Sequence, residues 1–132
     1  MSLSLYEASQ EGDVEAVQLL LAHDGVEVNQ AAKYGWTPLC IASENGHTKV
    51  VELLLAHDGV EVNQANKNGW TPLFIAIQKG RTEVVELLLA HDGVKVNQAT
   101  KYGGTPLYVA SQNGHTKVVE LLLAHDGVEV NQ

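Results

Sequence analysis

An eight-residue segment, Leu-Leu-Leu-Ala-His-Asp-Gly-Val, occurs four times in the chain, starting at residues 19, 53, 87 and 121. The step is 34 residues each time, which divides the 132 residues into blocks 1–30, 31–64, 65–98 and 99–132. A fixed period of this length indicates a repeat array, in which each unit buries its apolar faces against its neighbours. We therefore expect one domain over residues 1–132, built by stacking the four blocks.

The first half of each full block predicts a short helix. In block 31–64, Thr37 is a residue type that caps helix N-termini, and Pro38 follows at the first helical position, where its missing N–H costs nothing. Asn45-Gly46 then ends the helix after about two turns, because glycine readily takes the left-handed conformation that follows a helix.

The second half of each block predicts a buried helix. It runs from about Thr48 to Ala56 or His57, and its valines and leucines cover nearly the whole circumference, so neighbours must cover it. Gly59 is expected to take the left-handed conformation after this helix. In the stretch 60–69 that follows, Asn68-Gly69 favours a hairpin-like turn.

The motif that opens each full block separates two families with helical repeats of this length. It reads Gly-Trp-Thr-Pro-Leu-Cys-Ile-Ala at 35–42, Gly-Trp-Thr-Pro-Leu-Phe-Ile-Ala at 69–76 and Gly-Gly-Thr-Pro-Leu-Tyr-Val-Ala at 103–110. Tetratricopeptide repeats place their proline late in the unit, whereas here proline opens the first helix. The chain instead resembles the ankyrin repeat family.

This resemblance implies an all-α repeat solenoid, in which about four stacked helix-turn-helix units are joined by β-hairpin-like loops. Block 1–30 would be an N-terminal capping repeat, and blocks 31–64, 65–98 and 99–132 would be full repeats. Two departures from the family pattern lead us to expect that the hairpin turns lose hydrogen-bond partners. The family's histidine after Thr-Pro-Leu is replaced by Tyr6, Cys40, Phe74 and Tyr108, and its aspartate at the hairpin start by Ala32, Asn66 and Thr100.

Positions that differ between blocks are free to vary or serve an individual purpose. In the ankyrin family such columns line the hairpin tips and the first helices, on the concave surface that binds other proteins. The differing columns are mainly Tyr34/Asn68/Tyr102, Trp36/Trp70/Gly104, Ser43/Ile77/Ser111, Glu44/Gln78/Gln112 and Asn45/Lys79/Asn113.

These columns supply the candidate binding residues. Tryptophan and tyrosine bury a large area at low entropic cost and are frequent interface hot spots. The alternative is that each tryptophan lies flat on the neighbouring hairpin and stiffens the turn. We expect hairpin anchors at Tyr34, Trp36, Asn68, Trp70 and Tyr102, and a polar first-helix surface of Glu44, Asn45, Gln78, Lys79, Gln112 and Asn113.

The charge balance narrows the choice of partner. Eight basic against sixteen acidic residues give a net charge of -8, which disfavours nucleic acid and anionic membranes. The single cysteine, Cys40, excludes an intramolecular disulfide. Residues 1–7 contain no basic, apolar leader, so we expect no membrane span and an intracellular, cytoplasmic protein.

The histidines predict a structural role rather than a metal site. The column His23, His57, His91 and His125 recurs once per block, roughly 8–10 Å apart for packed helices, which is too far for two of them to share one zinc ion. We expect these histidines to bind free carbonyls at helix C-termini. His47 and His115 are expected to close the loop before the second helix.

Neither catalysis nor a cofactor site is predicted. Cys40 occupies the column of Phe74 and Tyr108, so it is interpreted as a packing residue rather than a nucleophile. The chain has no nucleophile elbow, phosphate-binding glycine loop or paired carboxylates. In the family the asparagine of the Val-Asn column can be hydroxylated, which leaves modification of Asn63 or Asn97 open; the same column contains Asn29 and Asn131.

The last block repeats the apolar residues of the internal blocks at Val118, Val119, Leu121, Leu122 and Leu123, so nothing is expected to cover its outer face. A piece of a longer array, an engineered repeat protein, or self-association through this repeat would each account for it. The function expected is a non-catalytic module that binds a protein partner. The alternative is a repeat scaffold, engineered or fragmentary, with no specific natural ligand.

Overall fold

The computed structural model describes residues 3–130, which form eight α-helices in four consecutive pairs and contain no β-strand. A 3₁₀ turn at Lys33–Gly35 precedes the second pair. The pairs are α1 (Leu5–Glu11) with α2 (Val14–Leu21), α3 (Pro38–Asn45) with α4 (Thr48–Leu55), α5 (Pro72–Gln78) with α6 (Thr82–Leu89), and α7 (Pro106–Gln112) with α8 (Thr116–Ala124).

The eight helices form two layers. The first helices pack side by side in chain order and form one layer: α1, α3, α5 and α7. The second helices pack side by side in the same way and form the other layer: α2, α4, α6 and α8. Each first helix also packs on the second helix of its own pair. The predicted all-α solenoid of stacked helix-turn-helix units is therefore confirmed.

The helix ends follow the cap residues in most places. The Thr37 hydroxyl accepts the N–H of Cys40 at 3.1 Å, and Gly46 ends α3 with a left-handed φ of 71°. The prediction for Gly59 is wrong, because this residue does not take a positive φ. Its N–H instead donates to His57 Nδ1 at 3.1 Å, and this bond holds the loop in its shape.

The second helices contribute much of the core. Val50, Val51 and Leu54 of α4 are at most 1% exposed, because α4 lies between α2, α6 and its own first helix. The matching residues of α6, Val84, Val85 and Leu88, are buried to the same degree. Full burial of each such side chain stabilises the fold by about 1.5–3 kcal/mol.

The last repeat is covered on one side only. Val118 and Leu122 lie in the core, so the expectation that nothing covers them is wrong: they face α6 and α7. Val119 and Leu121 are half-buried, and Leu123 is 51% exposed. The open side of the last repeat thus starts at these three residues.

Two of the three hairpins are held by a side chain at their start. Asn66 Oδ1 accepts the N–H of Asn68 at 2.9 Å and that of Trp70 at 3.1 Å. Thr100 Oγ1 accepts the two matching N–H groups of its own hairpin, both at 3.3 Å. The expectation that these turns lose hydrogen-bond partners is therefore wrong for Asn66 and Thr100, whose oxygens serve as acceptors.

The first hairpin is the exception. Ala32 has no side-chain acceptor, and Tyr34 at the tip lies in the left-handed region with φ 61° and ψ 20°, which is unfavourable for a residue with a Cβ. The Tyr34 carbonyl accepts the N–H of Lys67 from the next hairpin at 3.0 Å. This tip thus gains its support from its neighbour rather than from its own first residue.

Neighbouring hairpins approach closely at one glycine. The N–H of Lys101 donates to the Asn68 carbonyl at 3.2 Å, and a Cβ on Gly69 would lie only 2.6 Å from that same backbone nitrogen. Gly69 also has a φ of 79°. Both the close approach and the dihedral therefore require glycine here.

An asparagine in each of the first three blocks joins it to the next. Asn63 Nδ2 donates to the Gly93 carbonyl at 2.7 Å, and Asn63 Oδ1 accepts the N–H of Lys95 at 2.8 Å. Asn29 and Asn97 bind the following loops in the same way. Asn131, the fourth member of this column, lies outside the described residues.

Replacing Ala32 with aspartate should stabilise the chain. The carboxylate would place an oxygen where Asn66 has Oδ1, within reach of the N–H groups of Tyr34 and Trp36. The expected gain is about 1 kcal/mol in the free energy of unfolding, or roughly 3–5 °C in Tm, measured by thermal and urea denaturation. Ala31→Asp is the control, since it adds the same charge at an exposed neighbour; an equal gain there would contradict the hydrogen-bond explanation.

Asn63→Ala should destabilise the chain by about 2 kcal/mol, because it removes two hydrogen bonds between adjacent blocks. Urea denaturation followed by circular dichroism measures this loss. Glu61→Ala changes an exposed side chain of the same loop and should stay within about 0.5 kcal/mol of the parent. A similarly small loss for Asn63→Ala would mean that water replaces both bonds.

Candidate functional site

The first helices are accessible mainly at their C-terminal ends and at the hairpin tips that precede them: Cys40 of α3 and Phe74 of α5 are buried, whereas Tyr108 of α7 is 56% exposed. Residues four apart on a helix share a face, so Trp70, Phe74 and Gln78 form one stripe on the third block. The matching stripes are Trp36, Cys40 and Glu44 in the second block and Gly104, Tyr108 and Gln112 in the fourth. We call these three stripes and the adjoining hairpin tips the hairpin face.

The predicted anchors differ in how far they extend from the surface. Tyr34 is 62% and Tyr102 79% exposed, and Asn68 is also exposed, so the three tip residues are accessible. Trp36 and Trp70 are half-buried. Trp70 packs against the core and lies 5.4 Å from the Phe74 ring, measured between centroids. Trp70 thus stiffens its hairpin while presenting part of its indole to solvent.

The predicted polar surface is largely accessible. Gln78, Lys79, Gln112 and Asn113 are exposed. The Asn113 amide donates to Gln78 Oε1 at 3.3 Å, so these two side chains meet across the third and fourth blocks.

Glu44 and Asn45, the members of this polar surface that come from the second block, are half-buried rather than exposed. Asn45 donates its amide to the Gln10 carbonyl at 3.1 Å, and so serves the junction of the first two blocks. Glu44 lies close enough to Tyr6 to add to the effect of burial, which is the main cause that raises the pKa of that phenol.

The expectation that all five differing columns line the surface is wrong for the column Ser43/Ile77/Ser111. Ser43 and Ile77 are fully buried, whereas Ser111 is exposed. The reason is that this column points toward the following block, which covers it in the second and third blocks but not in the fourth. These residues belong to the packing between blocks and not to the hairpin face.

A groove of about 490 Å³ opens on the hairpin face where Gly104 replaces tryptophan. Its volume lies within the range of ligand-binding clefts in proteins. It is lined by Trp70, Phe74, Gln78, Thr100, Tyr102, Gly103, Gly104, Tyr108, Val109, Gln112 and Asn113.

Six residues of this groove were not among the predicted site residues, and Phe74 and Tyr108 are the two aromatic ones among them. Tyr108 is 56% exposed and stands beside the Gly104 position. The four-residue spacing from Trp70 to Phe74, and from Gly104 to Tyr108, is the signal that could have found them.

The sequence pattern of ankyrin repeats, as a model of three copies, matches residues 4–66 and 58–132. The chain belongs to the ankyrin repeat family. Ankyrin repeats are generally non-catalytic modules for protein–protein interaction. No curated protein matches the chain. Between residues 3 and 130, no helix has the length and apolar character needed to cross a membrane.

The histidines of the ankyrin loops bind backbone groups. His57 Nδ1, like that of His91 and His125, accepts the N–H of the glycine two residues later at 3.0–3.1 Å. The expectation that this column binds helix carbonyls is therefore wrong for these three. His47 Nε2 lies 2.9 Å from the Gln10 carbonyl, as a loop-closing residue would. No group of three or more potential metal ligands occurs among residues 3–130.

Cys40 is a packing residue in this ankyrin array. Its side chain is fully buried, and its thiol lies 3.8 Å from the Gln64 carbonyl, to which it donates. Burial raises the pKa of the Cys40 thiol above its ordinary value. The reactive thiolate is therefore scarce at neutral pH.

Cys40 should react slowly with iodoacetamide in the native protein. At pH 7.4 we expect a rate at least about tenfold below that of the same chain unfolded in guanidinium, because the thiol is buried and protonated. Mass spectrometry of samples quenched over time measures both rates. Equal rates in the two states would show that the thiol is accessible, against the packing described above.

Proposed function

We propose that this ankyrin repeat chain is a non-catalytic module that binds a protein partner through the hairpin face. The anchors are the exposed tips together with Trp36 and Trp70, and the polar rim comes from the first helices. For the location we keep the intracellular, cytoplasmic expectation, and the net charge of -8 favours a protein partner over nucleic acid or an anionic membrane.

The observation that carries this proposal is where two nearly identical blocks differ. Blocks 31–64 and 99–132 have the same residue at all but five of 34 positions. Three of those differences lie along the stripe of the hairpin face, at 36/104, 40/108 and 44/112, and a fourth, 32/100, is at the start of the hairpin. The fifth, 41/109, is in the core, and at 40/108 a buried cysteine is replaced by an exposed tyrosine. The second helices and their loops are identical. Four of the five differences thus lie on the stripe and hairpin of the proposed binding surface.

The architecture supports binding at low entropic cost. The hairpin tips are joined by backbone hydrogen bonds from Lys67 to Tyr34 and from Lys101 to Asn68. The first helices that carry the stripes pack directly on one another. A surface held in this way loses little conformational freedom when a partner binds.

Capture from cell lysate tests the proposal. We expect the parent chain to retain a protein that is lost with the variant Tyr34→Ala/Trp36→Ala/Tyr102→Ala, since this variant removes three aromatic anchors. Quantitative mass spectrometry of the retained proteins gives the comparison, and circular dichroism checks that both chains keep their helicity.

The control variant is Leu19→Ala/Lys49→Ala/Lys117→Ala, which changes three exposed side chains of the second helices. It should retain the same protein as the parent. Loss of the protein with this control, and not with the tip variant, would move the site to the second helices and contradict the proposal.

A repeat scaffold without a ligand is the second candidate, engineered or fragmentary. The near-identity of blocks 31–64 and 99–132 favours it, because adaptation to one partner would diversify the surface further. In that case neither the parent nor either variant retains a protein. Self-association through the open side of the last repeat would instead appear as a mass above that of a monomer in sedimentation.

A further inference from the structure

The charges of the chain are unevenly divided. The segments that form the hairpin face, residues 31–46, 65–80 and 99–114, contain four lysines and one glutamate, a net charge of +3 in a chain of net charge -8. The remaining residues therefore have a net charge of -11. The hairpin face is the basic side of an acidic protein.

The lysines of this face are placed for an external partner. Lys33, Lys67 and Lys101 occur at the same position of successive hairpin tips, and all three are exposed, as is Lys79. Among residues 3–130, no carboxylate lies within 4 Å of any of these four amino groups. Lys33 Nζ is 5.6 Å from the centre of the Tyr34 ring, and Lys101 Nζ is 6.0 Å from that of Tyr102.

The groove at Gly104 adds to this basic face a subsite lined by aromatic and by polar side chains. A Cβ on Gly104 would meet Val109 Cγ2 at 3.3 Å, a tight contact, and Thr100 Oγ1 at 3.7 Å. Gly104 lines the groove at the position that tryptophan occupies in the two preceding blocks. Aromatic residues line it, Trp70 from the third block and Tyr108 from the fourth among them. One large apolar side chain fits a space that an indole would occupy.

We propose that the hairpin face binds an acidic, extended protein segment that places one large apolar side chain in the Gly104 groove. This inference rests on the proposed function and names the chemistry of the partner. Carboxylates of the segment pair with the tip lysines, and the apolar side chain fixes its register along the face. The opposite charge also speeds encounter and excludes basic partners.

A protein segment fits this face better than nucleic acid does. Three tip lysines neutralise a few carboxylates, whereas a polyanion adds one charge per nucleotide and meets the net charge of -11 on the rest of the chain. The groove also has room for one side chain against its aromatic lining, and a peptide supplies such a side chain at a single position.

Random 12-residue peptides displayed on phage provide the probe. Selection on the full chain should enrich peptides with a net negative charge and one Phe, Trp, Leu or Ile. The best peptides are then synthesised with a fluorophore, and their Kd is measured by anisotropy at low and high salt. Affinity should fall as salt is raised, because the lysine contacts are exposed.

Two pairs of variants separate the contributions. Gly104→Trp fills the groove and should raise Kd by about tenfold or more, whereas Gly104→Ala leaves it open and should change Kd less than about threefold. Lys33→Glu/Lys67→Glu/Lys101→Glu should also raise Kd by about tenfold or more. Its control, Lys49→Glu/Lys95→Glu/Lys117→Glu, reaches the same net charge by changing exposed lysines outside the face and should have a small effect.

The outcomes separate this inference from the proposed function. Selected peptides without an excess of acidic residues, or peptides that bind Gly104→Trp as well as the parent, would overturn the inference. If those peptides still lose binding in Tyr34→Ala/Trp36→Ala/Tyr102→Ala, the proposed function stands. A selection without binders counts against both. A 12-nucleotide single-stranded DNA that binds as tightly as the peptides, with the same lysine dependence, would replace the acidic segment with nucleic acid.

Discussion

The rest of the structure depends on burial of the second helices between neighbouring repeats. Val50, Val51 and Leu54 are covered only because α2, α6 and α3 surround α4. A single pair of helices offers no such enclosure, so each repeat gains its core from the next. The bidentate Asn63 amide adds a polar connection between the same two units, and its partners are backbone groups that any sequence supplies. Stacking therefore constrains the buried columns and leaves the hairpin tips and the C-terminal ends of the first helices largely outside its requirements.

Much of the fold could be predicted from the sequence because its signals are local. The Thr-Pro pairs specify where first helices begin, and the Asn-Gly pair at 45–46 specifies where one ends, since caps and left-handed residues depend on a few adjacent residues. The errors concern contacts between distant residues. Ser43 and Ile77 are exposed on their own helix and become buried only when the next block is present. Gly59 is held by a histidine side chain, which cap preferences do not describe.

The candidate site likewise has a part that local sequence signals predict and a part that depends on contacts between distant residues. Its tips could be predicted because Tyr34 and Tyr102 stand at turns, where side chains extend into solvent. Its groove could not be predicted from the varying columns alone. The groove forms because Gly104 has no side chain and because the aromatic residues Trp70, Phe74, Tyr102 and Tyr108 line the space beside it. Phe74 stands where the ankyrin family has a histidine and is buried, yet it also lines the groove. A residue of the stripe can thus serve packing on one side and the surface on the other.

Stability and binding make opposing demands at the fourth repeat. Trp70 packs on the core and on Phe74, and the matching Gly104 gives up that packing. A chain shaped by stacking alone would keep the tryptophan, because the same backbone already accommodates it two times. Glycine also increases the conformational entropy of the unfolded chain, which further lowers stability. The loss falls in the repeat whose Tyr102 and Tyr108 are 79% and 56% exposed, and among residues 3–130 no carboxylate lies within 4 Å of the tip lysines. The repeat that gives up the packing of the tryptophan is thus also the one with the most accessible aromatic surface. The proposed binding of a partner at this face gives a reason for the loss of the tryptophan that stacking alone does not supply.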